Sequence, residues 1–146
     1  MAVKPIPNDY HTVTPYLTVR GAAQVVEFLK EAFGAEERFR MNGSDGTVAH
    51  AEMRVGDSMV MVGEASEKWP PMPASLYVYV PDADSIYHRA IEAGAVSVME
   101  PADQFYGDRH GGVRDSAGNV WWIATHKEDV SPEEIERRAR LAMAKG

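Results

Sequence analysis

The feature that most constrains this chain is a pattern stated twice. Residues 14–19, TPYLTV, alternate with period two, as a half-buried strand does. Ala22 to Phe33 then place Val25, Val26, Phe28, Leu29, Ala32 and Phe33 at helical spacing, with Gly34 as a natural helix end. About 60 residues further on, SLYVYV at 75–80 opens a second strand, Asp82 or Asp84 caps a helix running through Ile91, and Gly94 closes it. A repeat of this length governs how everything else is read.

The match continues beyond the helices. AHAEMR at 49–54 aligns with RHGGVR at 109–114, pairing His50 with His110 and Arg54 with Arg114. Each run turns, through VGDS at 55–58 and DSAGN at 115–119, and returns as an apolar strand, MVMV at 59–62 and VWWIA at 120–124. One extra residue in the second turn makes Met61 correspond to Trp122. Such turns between such runs predict hairpins, so each half reads βαβββ. The expected organisation is one domain: a first module over 10–66, a linker over 67–73, a second module over 74–127 and a helical tail over 128–146. The linker contains Trp69-Pro70-Pro71-Met72-Pro73, either a stiff connection or an apolar lid. In the tail, Ser131-Pro132-Glu133-Glu134 is a capping box, and Arg137, Arg138, Arg140 and Lys145 close the helix as its dipole prefers. Its apolar positions are few, so it reads as a surface arm or a clasp on another subunit.

Each half of this size covers one sheet face with its helix and leaves the other face to be filled. Two such sheets facing one another enclose a cleft, where function is expected. Composition narrows that function. At 146 residues the chain suits one domain with a real core. Its 15 basic against 22 acidic residues, a formal charge of -7, argue against nucleic acid and against an anionic membrane surface. With no cysteine, disulfides, thiolate metal sites and cysteine nucleophiles are excluded. Met1 to Asp9 lacks the apolar core of a signal peptide, and no apolar run approaches membrane-spanning length, so a cytoplasmic protein is expected.

A tandem βαβββ repeat with a Phe-Gly helix end and a D-x-x-G-N-x-W hairpin resembles the vicinal-oxygen-chelate (glyoxalase/bleomycin resistance/dioxygenase) superfamily. More closely, TPYLTV, FLKEAFGAEE, HAEMRVGDSMVMV, FYGDRHGGVRDSAGNVWWIATH and the following EDVSPEE look like its PhnB-like branch. The resemblance covers residues 10–127 and implies an α+β fold of two facing curved sheets around a cleft, plus the C-terminal helix. It also implies a homodimer. The superfamily spans isomerases, dioxygenases, transferases and drug-sequestering proteins, so fold leaves activity open. Its metal-using members place one ligand on the first strand and one on the last strand of each module. Aligned by motif, those positions are Thr14, Met61, Ser75 and Trp122. Hydroxyl, thioether and indole groups are poor ligands for divalent nickel, zinc, iron or manganese. No metal and no cofactor are therefore expected.

Period two assigns the faces. Leu17 and Val19 point to the helices, while Thr14, Tyr16 and Thr18 point into the cleft. In the second module Leu76, Val78 and Val80 face the helices, leaving Ser75, Tyr77 and Tyr79 inside. Met59, Met61, Val120 and Trp122 join the cleft face. A two-residue turn at Gly56-Asp57 sets Glu52 opposite Met61 and Arg54 opposite Met59, with His50 on the same face. The resulting surface is either an open cleft for a flat or amphiphilic ligand or a packed core; buried tyrosine hydroxyls each need a partner, which favours the cleft. His50, Glu52, Arg54, Arg109 and His110 are its polar candidates. His50 beside Glu52 is either a general base with an orienting carboxylate or a structural pair tied to Arg54. Arg109 either reaches the cleft or braces its loop with Asp108, and His11 and His126 read as surface residues.

Three functions follow. The first is metal-free binding of a small aromatic or amphiphilic molecule. The second is an enzyme, an isomerase, lyase or dioxygenase-like catalyst, that uses His50 and Glu52 as acid and base or a relocated metal site at His50, Glu52 and His110. The third is an oligomerisation or regulatory module with a vestigial cleft.

Overall fold

The structure, a computed structural model, describes residues 2–145. The first module is β1 (Tyr16–Val19), α1 (Ala22–Phe33), β2 (Glu36–Asn42), β3 (Val48–Val55) and β4 (Ser58–Glu64). The second is β5 (Ser75–Tyr79), α2 (Ala83–Glu92), β6 (Val96–Asp103), β7 (Asp108–Arg114) and β8 (Val120–His126), and α3 (Pro132–Lys145) follows. Each module makes a four-stranded mixed sheet, ordered β1-β4-β3-β2 and β5-β8-β7-β6. The first strand of each runs parallel to the last and, through two antiparallel pairings, to the second, which is why a helix carries the chain from one edge of the sheet to the other. The architecture is α+β, as the repeat predicts, and β2 and β6 are the strands the sequence patterning left unplaced.

The repeat extends to how the helices start. Neither relies on the same cap, yet in both modules the end of the last strand supplies the acceptor. Glu64 accepts from the Gly21 and Ala22 amides at 2.9–3.2 Å. Thr125 accepts from the Ala83 amide and donates to the Val80 carbonyl, both at 2.8 Å. Asp82 adds an ordinary side-chain cap to α2 through the Ser85 amide.

The helix-facing sides of both sheets join in one core. Leu17, Val19, Met53 and Val62 meet Val25, Val26 and Leu29 of α1, while Val113, Trp121 and Ile123 meet Tyr87 and Ala90 of α2. Helix α1 packs on α2, and Phe28 and Phe33 lie 6.3 and 5.5 Å from the Trp121 ring, so the first module's helix reaches the second module's sheet. The DSAGN turn is wired into this core. Asp115 accepts from the Ala117 and Asn119 amides, from the Asn119 side chain and from the Trp121 indole, and Asn119 in turn holds the Ala74 amide at the start of β5. Among the described residues no helix is long and apolar enough to cross a membrane. Helix α3 lies outside the core, its Ser131 cap on the Glu134 amide as expected, and Arg138 ties it to the Phe105 carbonyl and Glu128.

Candidate functional site

With the helices gathered at the shared core, the opposite face of each sheet is uncovered. On the first sheet the register is as the hairpin predicts: Glu52 pairs with Met61, Arg54 with Met59, and Tyr16 with Met61. Tyr16, His50 and Glu52 therefore share a face. The His50 Nε2 lies 2.9 Å from Glu52 Oε2, and the Tyr16 hydroxyl lies 3.3 Å from His50 Nδ1. The Tyr10 hydroxyl, from the segment before β1, donates to the other Glu52 oxygen. Asp9 holds that segment down through Arg38 at 2.9 Å and Arg54 at 3.8 Å. Arg54 thus faces Asp9 and the Gly56 carbonyl rather than the His50–Glu52 pair. The Tyr16 ring lies across Gly63, where a Cβ would sit 2.6 Å from its hydroxyl, so only glycine admits this contact. Tyr16, Phe39 and Met41 are about half exposed here, whereas Met59 is buried.

The second sheet carries a separate aromatic cluster. Tyr77 and Tyr79 project from β5 with ring centroids 5.3 Å apart, and both hydroxyls donate to Asp108 Oδ2, at 2.7 and 2.9 Å. The other Asp108 oxygen lies 2.8 Å from His126 Nδ1, whose Nε2 meets Asp129 at 2.7 Å. Asp108 is 3% exposed. Burial alone pushes its carboxyl up, but the bonds from His126, Tyr77 and Tyr79 outweigh it and hold the group below the usual carboxylate range. Burial and the Asp108 contact push the Tyr77 hydroxyl far up, so it stays a neutral donor. The Asp108 and Asp129 bonds raise the His126 imidazole.

Beside them, His110 is ringed by Tyr77, Tyr106 and Trp122 at centroid distances of 5.4–6.0 Å. Its Nε2 bonds the Tyr106 hydroxyl at 2.6 Å, and its buried Nδ1 has no protein partner. Burial lowers its pKa against the opposing pull of Asp108. The Trp122 indole lies on Gly112, where a Cβ would come within 2.6 Å of the ring, and donates to Ser75 Oγ at 3.0 Å. Tyr79 is 62% and Tyr77 42% exposed, while their polar ends are already engaged.

The sequence-predicted residues therefore separate into two clusters. Tyr16, His50, Glu52, Arg54, Met59 and Met61 lie on the first sheet, with Thr14 just before β1; Ser75, Tyr77, Tyr79, His110 and Trp122 lie on the second. Arg109 corrects the expectation outright. It sits on the helix side, one residue out of phase with Asp108 and His110, and binds Asp84 of α2 at 2.9 Å and Asp103 at 3.3 Å. It neither reaches the open face nor braces its loop through Asp108. His50, Glu52 and His110 do not converge, and among the described residues no three His, Asp or Glu side chains gather as a metal site requires. His126, read as a surface residue, is half exposed yet anchors Asp108.

Tyr10, Gly63 and Gly112 have no role in the sequence reading, and Tyr106 and Asp108 enter it only through the FYGDRHGGVRD motif, Asp108 as a brace for Arg109 rather than as a residue of the open face. Asp108 was within reach, because counting back two from His110 puts it on the tyrosine face. Tyr10 had no signal, since it approaches from outside the sheet. Two cavities bear on the site. One of about 270 Å³ adjoins Tyr16, lined by Thr18, Gly63, Glu64 and Trp69. A larger one, about 720 Å³, opens at the seam between modules and is lined chiefly by helix-side apolar groups such as Val60, Leu76, Val78 and Ile86; of the predicted site residues it shares only Tyr77 and Tyr79.

Comparison with known proteins agrees with this architecture. The sequence profile of the Glyoxalase/Bleomycin resistance protein/Dioxygenase superfamily matches residues 10–123. An uncharacterised protein of Mycobacterium bovis is 32% identical over 140 residues, covering 88% of this chain and 92% of that protein. One from Mycobacterium tuberculosis is also 32% identical, covering 88% of this chain and 82% of its own length. Among solved structures, TioX from Micromonospora sp. ML1 superposes with a TM-score of 0.69 at 27% identity, covering 80% of this chain and 98% of that one. TnmS3, an antibiotic binding protein from Streptomyces sp. CB03234, gives a TM-score of 0.64 at 19% identity, covering 87% of this chain and 99% of that one, a likeness of fold.

Proposed function

The chain belongs to the Glyoxalase/Bleomycin resistance protein/Dioxygenase superfamily, and from that premise we propose that it binds a small aromatic or amphiphilic molecule without the metal used by the superfamily's enzymes. We read it as a PhnB-like member, on the motifs given above, that works as a cytoplasmic homodimer whose second copy completes the cleft over the uncovered sheet faces.

The observation that carries the binding reading is the array of exposed Tyr77 and Tyr79 with the half-buried Trp122, its polar atoms already committed. Asp108 fixes both tyrosines from behind and Ser75 fixes the indole, so ring faces are what remains on offer. Rings held this way lose little freedom on binding a flat ligand, which is how preorganisation raises affinity. Exposed apolar surface of this kind marks an interaction site. TnmS3, which shares the fold, is an antibiotic binding protein.

The positions where a metal would sit support the same reading. Thr14, Met61, Ser75 and Trp122 supply two hydroxyls, a thioether and an indole, and the Ser75 oxygen already accepts the Trp122 N–H. That donor set does not fit a divalent ion. The test is native mass spectrometry of the whole protein against a panel of flat aromatic and amphiphilic compounds, with Trp122→Ala as the variant. We expect at least one compound to be retained, and retention to weaken by at least about tenfold in the variant, as loss of an aromatic anchor implies. Retention of none, or equal retention by the variant, contradicts the reading.

A further inference from the structure

We propose that the first sheet carries an acid–base site of its own, in which the Tyr16 hydroxyl exchanges a proton with a small flat molecule in the cavity between Tyr16 and Trp69. The relay behind it has a direction set by its donors and acceptors. Tyr10 and His50 both point at Glu52, Tyr10 on one oxygen and His50 Nε2 on the other at 2.9 Å. A carboxylate offers acceptors only, so the imidazole proton sits on Nε2 and the Nδ1 lone pair is turned to the Tyr16 hydroxyl at 3.3 Å. That is a phenol backed by a histidine whose tautomer is fixed by a carboxylate, the arrangement by which a weak side-chain acid is made to give up its proton.

The site has a place for a substrate. The His50 and Glu52 side chains are 18% and 23% exposed, whereas Tyr16 is 54% exposed, so Tyr16 is the member that a ligand meets. The cavity of about 270 Å³ beside it is lined by Thr18, Gly63, Glu64 and Trp69, with the Glu64 carboxylate already engaged by the Gly21 and Ala22 amides. This volume suits a compound of one or two rings with a weakly acidic C–H or O–H. In the step, the substrate's C–H or O–H bond breaks and its proton passes to the Tyr16 oxygen. The Tyr16 proton moves to His50 Nδ1, and the imidazolium rests beside the Glu52 carboxylate. The electron pair stays on the substrate, and the proton returns from His50 by the same path to the product or to water. Tyr16 is the catalytic residue and His50 its proton acceptor. Glu52, Tyr10 and Gly63 are positioning residues: two set the tautomer, and the third makes room for the ring.

Base-induced ring opening of 5-nitrobenzisoxazole tests this on the intact protein. Removal of its one acidic C–H forms the nitrile as the N–O bond breaks, releasing a coloured phenolate. We expect turnover above buffer, and a loss of at least about a hundredfold in Tyr16→Phe and in His50→Asn, the lower end of what general acid–base catalysis supplies. His88→Asn, an exposed histidine on α2, serves as the control, and melting temperatures confirm that each variant is folded. Nitrogen-15 NMR of the His50 ring checks the positioning: one neutral tautomer, protonated at Nε2, is expected in the wild type and a mixture in Glu52→Leu. Turnover no faster than buffer, or Tyr16→Phe as fast as the wild type, overturns the proposal; an Nε2-only ring in Glu52→Leu overturns the role given to Glu52. The readout needs no retained ligand, so failure of the binding reading leaves it standing.

Discussion

At Asp108 one buried carboxylate serves three side chains, two tyrosines on one oxygen and His126 on the other. It converts a pair of flexible phenols into a fixed surface, and the histidine balances its charge. The arrangement is pH-sensitive in a definite direction. His126 is raised above its ordinary value of about 6.5, so its contribution is fully present below that value and is lost as pH rises through the folded one. Asp108 is lowered, so its contribution is present above the ordinary carboxylate value of about 3.9 and is lost as pH falls through the folded one. Both hold together between about pH 4 and 6.5. His126→Gln should therefore lower the melting temperature more at about pH 5.5 than at about pH 8.5. A gap that does not change with pH contradicts the pairing. Period two set Tyr77 and Tyr79 on one face and the repeat added His110 by its match to His50, but neither put Asp108 beside them, because a lone aspartate at the start of a strand reads as a turn residue until its register is known.

Among the elements, what was legible follows from local patterning. Strand alternation placed the faces of β1 and β5, the two-residue turn fixed the register of β3 on β4, and helical spacing set α1 to the residue. The D-x-x-G-N-x-W signature also has a structural explanation: Asp115 and Asn119 knit the turn to β5, and Asp115 holds the indole of Trp121. The residues that make the family recognisable are thus largely scaffold, which is why recognition gave the fold without the activity. Strands β2 and β6 were not located because their exposed, bulged patterns break the alternation. Arg109 misled because adjacent strand residues point to opposite faces, and a charge beside a histidine says nothing of which face it takes. Trp121 is the element that joins the modules, 1% exposed and flanked by Phe28 and Phe33 of α1. Trp121→Ala should destabilise the protein by about 3–5 kcal/mol in urea unfolding, the cost of removing a buried large aromatic. It also leaves a buried acceptor on Asp115. A loss below about 1 kcal/mol contradicts its role as the joint.

On the scale of the whole molecule, the two modules turn their helices toward one core and their aromatic faces away from it. Sequence patterning determines which residues share a sheet face; it does not determine whether two faces meet, since that depends on how α1 and α2 pack. A second copy laid over the open faces is the proposed completion of the cleft, with α3 as an arm free of the core. Binding through rings, without a metal, is the claim on which the account turns. Isothermal titration of the compound retained best, in chelator and again with added nickel or zinc, measures it directly. The account predicts affinities that agree within about twofold across these conditions. Binding that disappears in chelator and returns with the metal would contradict it.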